Sequence, residues 1–274
     1  ELVNQVLASV PEDAPPERVI AAMHGTLRAA FPGDIASNLR WSIISATYGT
    51  QMIAPLYVGI GEYLLFTGTP MPTGGETGRF WAHMRDYVLA GEIETTSAHR
   101  QTPSVFRRGE AAYQSWGRGG VFAVREHVWM LEHVEGPIPL MFTLPMWAFL
   151  FNTLNHRELW ATMRNTTRLW LGYDTDYCDV PRWKNWLGNI QADPCQRRTP
   201  NNLWEVAQIV QETRAWNEAN PEREPRTIRA VGRSHSWSPL VPTSGVLVDM
   251  SNMDTILDVD RVNQRIVAQP GVPL

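Results

Sequence analysis

The alternation of hydrophobic and polar positions divides the first part of the chain into helical segments and a strand-rich middle. Pro11 to Arg28 carries four apolar residues at helical spacing and predicts a short amphipathic helix. The apolar stretch Leu39 to Phe66 favours a buried or membrane-facing helix that continues into a strand. Between Gly78 and His133, short strand-like runs alternate with glycine turns, which is typical of a small barrel or sandwich. Helical spacing returns from Pro139 to Tyr173.

The pattern changes after residue 173. Asp174 to Pro200 is irregular and indicates a linker, and Asn202 to Asn217 predicts a helix with Asn202 as its N-cap. Four strands are predicted after it: Thr227 to Val231, Val246 to Met250, Ile256 to Val259 and Arg265 to Ala268. A helix followed by such strands is typical of an α+β nucleotide-binding domain. We therefore predict a first domain over 1–176, a linker over 177–199 and a second domain over 200–274.

Composition and charge limit the classes of molecule that the chain is expected to bind. With 274 residues, 43% hydrophobic content and a net charge of -4, the chain has no basic surplus that would indicate nucleic acid. The 12 tryptophans favour ligand pockets, interfaces or membrane surfaces. Cys178 and Cys195 can form one bridge but neither a disulfide framework nor a zinc site. No apolar run reaches the roughly 20 residues of a transmembrane helix. Both ends look trimmed, so an anchor upstream of Glu1 stays an open alternative.

One carboxylate stands out in the strand-rich region. If Val124 to His133 is a single strand, alternation puts Glu132 on the same face as Val128 and Met130. A charged group in such surroundings is costly unless it is paired or protonated. Two interpretations follow. Glu132 forms an ion pair with Arg79 or Arg125 inside an ordinary core, or it is a functional acid.

Several segments of this region are similar to one known family. Gly61 to Pro70, Gly74 to Ala82, Val105 to Glu110 and Trp129 to Glu132 resemble the fungal C-8 sterol isomerase and sigma receptor family, in the same order and spacing, over about residues 15–173. The resemblance implies an α+β fold with a cupin-like β-barrel flanked by helices. It also implies membrane association and homotrimers.

The resemblance assigns roles to individual positions. Asp86 and Glu132 match the two acids that face the ligand, and Tyr63 matches the aromatic residue that braces the second acid. We add three neighbours to the predicted pocket: Glu62, Trp81 and Met130. Glu76 stands where the family usually has histidine. No metal site is predicted, because the histidines of this region lack the clustered ligand pattern of metal-binding cupins.

The implied reaction moves a sterol double bond from C8 to C7 through a carbocation. Two close carboxyl groups in an apolar cavity cannot both ionise easily, so one keeps its proton and can act as the general acid. We predict that Glu132 is charged and that Asp86 shares the proton, with the reverse assignment open. The alternative is a non-catalytic barrel whose Glu132 pairs with a hydrophobic cationic ligand.

The second domain carries a different motif. Ile228 to Leu240 reads as a strand entering a polar loop, which residue types alone also allow to be a plain surface loop. Together with Trp183 to Trp186 and Pro200 to Val206, it resembles vanillyl-alcohol-oxidase-type flavoproteins, especially aldonolactone and alditol oxidases. The resemblance implies a truncated PCMH-type FAD domain. The predicted FAD-binding residues are Gly232, Arg233, Ser234, His235, Ser236 and Trp237, with His235 matching the histidine that many members bond covalently to flavin. A third hypothesis follows, in which the flavin enzyme alone is catalytic, on a sugar lactone or polyol.

Overall fold

The computed structural model describes residues 1–46, 49–97, 99–141, 156–171, 182–235 and 237–273. The chain divides into two compact units. The first consists of Glu1–Ala36 and Arg40–Tyr173, and the second of Ser37–Leu39 and Asp174–Leu274. The boundary at 173/174 lies close to the predicted end of the first domain at 176.

The first unit combines helices with antiparallel strands. Its helices are α1 (Leu2–Ser9), α2 (Pro16–Ala30), α3 (Ile138–Met141) and α4 (His156–Trp170). Its strands are β1 (Ser42–Ala46), β2 (Gly49–Val58), β3 (Glu62–Thr69), β4 (Thr73–Glu76), β5 (His83–Thr96), β6 (Ser104–Arg107), β7 (Ala111–Gln114), β8 (Val121–Val124) and β9 (Val128–Glu135). The strands are joined in the order β1-β2-β3-β9-β5-β8-β4, and β6 and β7 also pair with β5.

The long strand β5 curls this sheet. Its first half pairs with β7 and β9, and its second half pairs with β6 and β8. The register to β9 shifts between Val88 and Ala90, and Gly91 follows with a φ of 76°. A Cβ on Gly91 would lie 2.1 Å from the carbonyl oxygen of His127. Glycine is therefore needed on two counts, backbone conformation and space, at the point where the strand bends.

The prediction of a helix within Leu39 to Phe66 is wrong, because the segment forms β1, β2 and β3. Consecutive residues of β2, among them Ala54 and Leu56, are buried, so both faces of this strand are covered. A strand covered on both faces has a continuous apolar sequence, which periodicity alone does not distinguish from a buried helix.

The predicted strand Val124 to His133 is also corrected. β8 ends at Val124 and β9 begins at Val128, with a bend between them. Within β9 the predicted alternation holds. Val128 and Met130 are buried in one hydrophobic cluster, and Glu132 follows at the next position of the same face.

The second unit is built around a small parallel sheet. Its elements are β10 (Trp183–Lys184), β11 (Gln191–Ala192), β12 (Gln196–Arg198), α5 (Leu203–Ala219), β13 (Ile228–Val231), β14 (Val246–Asp249), a 3-10 helix (Met250–Asn252), β15 (Ile256–Asp260) and β16 (Arg265–Ala268). β14 lies between β12 and β13, and Ile209 of α5 packs on Val246 and Val248. β15 and β16 form an antiparallel hairpin.

The α5 prediction is confirmed, since the side chain of Asn202 accepts hydrogen bonds from the backbone N–H groups of Trp204 and Glu205.

The segment 177–199, which was predicted to be an irregular linker, contains strands in the structure. Its described part contains three short strands, and β12 belongs to the parallel sheet of the second unit. Cys195 is disulfide-bonded, and Cys178 lies outside the described residues. The predicted helix over Pro139 to Tyr173 is described only in α3 and α4, with 142–155 and 172–173 outside the described residues.

Candidate functional site

The first unit encloses a cavity of about 470 Å³. The inner faces of the curled strands and one side of α4 line it. Apolar side chains form most of its wall, among them Ile53, Leu65, Ile93, Phe106, Phe122 and Met130. Both its volume and its lining are those of a small-molecule site, for which volumes of about 300–1,000 Å³ are usual.

Two carboxyl groups and one phenol stand together in this apolar wall. Asp86 of β5 and Glu132 of β9 are direct register partners, so their side chains leave the sheet on the same face. The Tyr63 hydroxyl, from the neighbouring strand β3, donates a hydrogen bond to Oε1 of Glu132. All three residues line the cavity. The sheet register thus brings together three residues that are far apart in sequence.

The two acids differ in their proton affinity. Burial raises the pKa of Asp86 well above its usual value, and the adjacent charge of Glu132 raises it further. Burial also raises the pKa of Glu132, but hydrogen bonds from Tyr63 and Asp86 act in the opposite direction. The stronger upward shift of the Asp86 pKa favours Asp86 as the member that keeps the proton and Glu132 as the charged one.

Tyr63 stays a hydrogen-bond donor across the physiological range. Burial raises the pKa of its hydroxyl well above 10.0, and the negative charge of Glu132 adds to that effect. The Oδ1 atom of Asp86 is buried and has no hydrogen-bond partner in the described part of the chain. Asp86 also lines the cavity. The site therefore offers one proton donor, one fixed carboxylate and an apolar wall.

The structure places two predicted pocket residues elsewhere. Glu62 is adjacent to Tyr63 on β3 and so takes the opposite face, where its carboxylate lies 3.3 Å from Nε2 of His133. Trp81 is 62% exposed and does not belong to the described lining of the cavity. Met130 does line the cavity, together with Tyr63, Asp86 and Glu132.

The interpretation of Glu132 as a core ion pair is wrong. Arg125 pairs with Glu94 at 2.5 Å, and neither Arg125 nor Arg79 bonds to Glu132. Sequence reasoning also missed Met84, which lines the cavity. Since Met84 precedes Asp86 by two positions on the same strand, period-two alternation was the signal that identifies it.

The second candidate site is the loop that follows β13. Ser234 has a φ of 60°, and two tryptophans hold it in place. The indole N–H of Trp183 donates to Oγ of Ser234 at 3.1 Å, and the backbone N–H of Trp186 donates to its carbonyl oxygen at 2.7 Å. The Trp186 ring meets the His235 imidazole edge-on, with 6.1 Å between centroids.

This loop has the properties of an anion cradle. Gly232, Arg233 and His235 are exposed, and their backbone N–H groups donate to no residue of the described ranges. Successive free N–H groups next to a residue of positive φ form a concave site for anionic oxygens. Trp237 is exposed as well, and Ser236 lies outside the described residues. Among the residues that the structure describes, no group of three or more His, Cys, Asp or Glu side chains could hold a metal ion.

Two protein-family profiles match the chain. The profile described as "ERG2 and Sigma1 receptor like protein" matches residues 1–172, which is more than half of the chain. The chain belongs to the ERG2 and sigma-1 receptor-like family. A profile described as "FAD binding domain" matches residues 201–274, so this member carries an FAD-binding domain behind its ERG2/sigma-1-like domain.

Curated relatives include receptors and an erg2 homolog. Sigma non-opioid intracellular receptor 1 of Gallus gallus is 29% identical over 152 residues, covering 52% of this chain and 65% of the relative. Its Danio rerio counterpart is 29% identical over 148 residues, covering 50% and 63%. Protein erg2 homolog of Dictyostelium discoideum is 24% identical over 141 residues, covering 52% and 60%. The chain thus spans less than two thirds of each of these relatives.

Two solved structures are also similar to part of the chain. A predicted oxalate decarboxylase of Thermotoga maritima is 13% identical, with a TM-score of 0.33, over 38% of this chain and 97% of that one. The Schizosaccharomyces pombe Cnp3 cupin domain is 14% identical, with a TM-score of 0.29, over 33% and 67%. The fold is α+β, with a curled antiparallel sheet in the first unit. No helix of the described ranges is both long and apolar enough to cross a membrane.

Proposed function

We propose that the first unit is a sterol isomerase that moves a ring double bond from between C8 and C9 to between C7 and C8. One observation carries this proposal, namely that Asp86 and Glu132 are register partners inside an apolar cavity, where burial raises the pKa of both. The reaction needs a proton donor and a negative charge at the same place, in a site that holds a hydrophobic ring system. The family relationship to an erg2 homolog supports the same assignment.

The proposed mechanism uses these groups in two steps. The Asp86 carboxyl group donates its proton to C9, and the electron pair of the double bond forms the new C–H bond, which leaves a cation at C8. The Glu132 carboxylate, held by the Tyr63 hydroxyl, stabilises this cation. A carboxylate of the pair then removes a proton from C7, and the C–H electrons form the new double bond. The pair again holds one proton, so no co-reactant is consumed.

The second unit is proposed to belong to an FAD-dependent oxidoreductase. The free N–H groups of Gly232, Arg233 and His235 would hold the FAD pyrophosphate, which is compatible with their exposure in the loop. Bound FAD supplies a two-electron acceptor. The imidazole of His235 is exposed beside this cradle, and we propose it as the covalent attachment point of the flavin.

The family relationship supports two further parts of the proposal. The ligand is a sterol or a hydrophobic cation, and the protein associates with membranes as a homotrimer. These properties follow from the resemblance of the first unit to the family. Nucleic acid is not a proposed partner, since the net charge is -4.

The test is turnover of a Δ8-sterol by the full chain in detergent, with products separated by gas chromatography. The proposal predicts a Δ7-sterol product that disappears in Glu132→Gln and in Asp86→Asn. Glu62→Gln is the matched control, because this acid lies one residue from Tyr63 on the outer face and pairs with His133. Loss of product in the control, or unchanged turnover in Glu132→Gln, would overturn the assignment.

A receptor-like barrel is the second candidate, because a carboxylate that stabilises a carbocation also pairs with a cationic amine, and several relatives are sigma receptors. In that case the wild-type chain binds a hydrophobic amine tightly and gives no Δ7 product. Catalysis would then belong to the flavin enzyme alone, and a peroxide signal that depends on a sugar lactone or polyol would support that outcome.

A further inference from the structure

Two polar side chains on β2 and β3 interrupt the apolar wall of the cavity. Gln51 of β2 and Thr67 of β3 both line the cavity, and the Thr67 hydroxyl donates a hydrogen bond to Oε1 of Gln51 at 3.0 Å. Their neighbours in the wall are apolar, since Ile44 is the register partner of Gln51 and Ile53 is the register partner of Thr67. We call Gln51 and Thr67 the polar pair. Packing alone does not require such a pair, because apolar side chains would fill the same wall without the cost of burying polar groups.

The hydrogen bond within the polar pair fixes the orientation of the Gln51 amide. Thr67 is buried, and its hydroxyl forms no other hydrogen bond with the described residues, so the oxygen of the Gln51 amide has to face it. The amide nitrogen Nε2 of Gln51 has no hydrogen-bond partner in the described part of the chain. It is not one of the fully buried unpartnered atoms, so it keeps accessible surface. The polar pair thus has an unused donor on Gln51 and an unused acceptor lone pair on Thr67.

The polar pair lies at a defined position relative to the two acids. Leu65 is the register partner of Glu132, and Thr67 is two residues further along β3. Two residues of a strand span about 7 Å and return to the same face of the sheet. In a sterol, the 3-hydroxyl group and C8 belong to adjacent fused rings, so a similar length separates them. A sterol that places C8 at the acid pair can therefore place its 3-hydroxyl group at the polar pair.

The unused groups of the polar pair match an alcohol. A hydroxyl group both donates and accepts a hydrogen bond, whereas a ketone or ether oxygen only accepts and a hydrocarbon does neither. The amide N–H of Gln51 is complementary to the oxygen of an alcohol, and the lone pair of Thr67 is complementary to its proton. We infer that the polar pair binds the 3-hydroxyl group of the sterol and makes the cavity selective for a free hydroxyl group at that end. The sterol itself rests on the proposed function, whereas recognition of a hydroxyl group on a hydrophobic ring system does not require turnover.

The experiment compares the affinities of the full chain, in detergent, for two Δ8-sterols that differ only at C3, one with the hydroxyl group and one with hydrogen in its place. Competition against the radiolabelled 3-hydroxy sterol gives both dissociation constants. We expect the wild type to bind the 3-hydroxy sterol about 10-fold or more tightly than the 3-deoxy sterol, because the 3-deoxy sterol leaves the polar pair unpaired. Gln51→Leu should reduce this ratio to about 3-fold or less, through weaker binding of the 3-hydroxy sterol.

Further variants separate a specific role of the polar pair from a change in packing. Thr67→Val removes the hydroxyl at nearly constant volume and should lower the ratio as Gln51→Leu does, whereas Thr67→Ser keeps the hydroxyl and should retain the ratio. Gln114→Leu is the matched control, because Gln114 also lines the cavity but its amide already donates to the carbonyl oxygen of Gly78 at 3.0 Å. Its ratio should be that of the wild type. Equal affinities of the wild type for the two sterols, a wild-type ratio in Gln51→Leu, or an equal loss of the ratio in Gln114→Leu would each overturn the inference.

Turnover of the same sterols distinguishes failure of this inference from failure of the proposed function. Gln51→Leu should raise KM for the 3-hydroxy sterol about 10-fold with kcat nearly unchanged, because the hydroxyl group is bound equally in the ground state and the transition state. A chain that forms no Δ7 product but binds the 3-hydroxy sterol selectively would disprove the isomerase and support the polar pair as a hydroxyl site. A chain that converts both sterols with the same KM would support the isomerase and overturn the inference. Absence of binding of either sterol would overturn both.

Discussion

Asp86 and Glu132 are direct register partners on β5 and β9, and burial raises the pKa of both carboxyl groups. The two carboxyl groups differ in proton affinity because their hydrogen-bond partners differ. Glu132 accepts hydrogen bonds from the Tyr63 hydroxyl and from Asp86. Oδ1 of Asp86 has no hydrogen-bond partner in the described part of the chain.

Glu132→Gln should lower isomerase turnover at least about 100-fold, because the neutral amide cannot stabilise a cation as the carboxylate does. Binding of a hydrophobic amine should weaken in the same variant. Sterol conversion and amine titration measure the two effects, with Glu62→Gln as the control. A Glu132→Gln variant with normal turnover and a wild-type melting curve would disprove the role of this acid.

Tyr63→Phe should lower turnover about 10-fold and change its pH dependence. The phenol donates to the charged form of Glu132, so its removal raises the pKa of Glu132. The rising limb of the pH–rate profile, which reports ionisation of the carboxylate, should move to higher pH. A lower rate with an unmoved profile would indicate a purely structural role for Tyr63.

Asp86→Asn should make the protein more stable at neutral and alkaline pH. The folded-state pKa of Asp86 is raised by burial and by Glu132, so its favourable contribution is fully present below the unfolded pKa. It is lost as the pH rises through the folded pKa. The difference in melting temperature between Asp86→Asn and the wild type should therefore grow with pH. A pH-independent difference would show that Asp86 does not titrate with a raised pKa.

Gly91→Ala should destabilise the first unit by about 1–3 kcal/mol or more, because alanine is strained at a φ of 76° and its Cβ would collide with the carbonyl of His127. Thermal or denaturant unfolding measures the change. Gly61→Ala is the matched control, since nothing lies within 4 Å of the added Cβ. It should change stability by no more than about 0.5 kcal/mol.

His235→Ala should release the flavin of the intact protein on acid precipitation, whereas the wild type should keep its colour in the pellet. Trp183→Phe should weaken flavin binding, because it removes the donor that fixes the Ser234 hydroxyl. The flavin absorbance that the protein retains measures both effects. Trp170→Phe in the first unit is the control. Complete loss of colour from the wild-type pellet would rule out the covalent bond.

The sequence predicted local elements better than long-range pairing. The helix after Asn202 was identified because its N-cap and its apolar spacing agree, and the alternation around Met130 placed Glu132 on the correct face. Within Leu39 to Phe66, burial of both strand faces removed the alternation that identifies a strand. Glu62 was misplaced because its adjacency to Tyr63 suggested a shared pocket, although neighbours on a strand point to opposite faces.

The site itself required more than periodicity. No local pattern shows that Asp86 is opposite Glu132, because strand register over such a distance is set by the whole sheet. Only the resemblance to a family brought these two residues together before the structure did. The hydrogen bond from the Gly117 N–H to the Phe80 carbonyl oxygen, which joins two loops of the first unit, had no signal in the sequence.

Strand β5 carries Asp86 in its first half and lines the far wall of the cavity with Ile93 and Thr95 in its second half. The bend at Gly91 lies between them. A single backbone segment therefore determines how far the acid pair stands from the opposite end of the cavity. Replacement of Gly91 would therefore move Ile93 and Thr95 relative to the acid pair and change the shape of the cavity, while Asp86 and Glu132 keep their register.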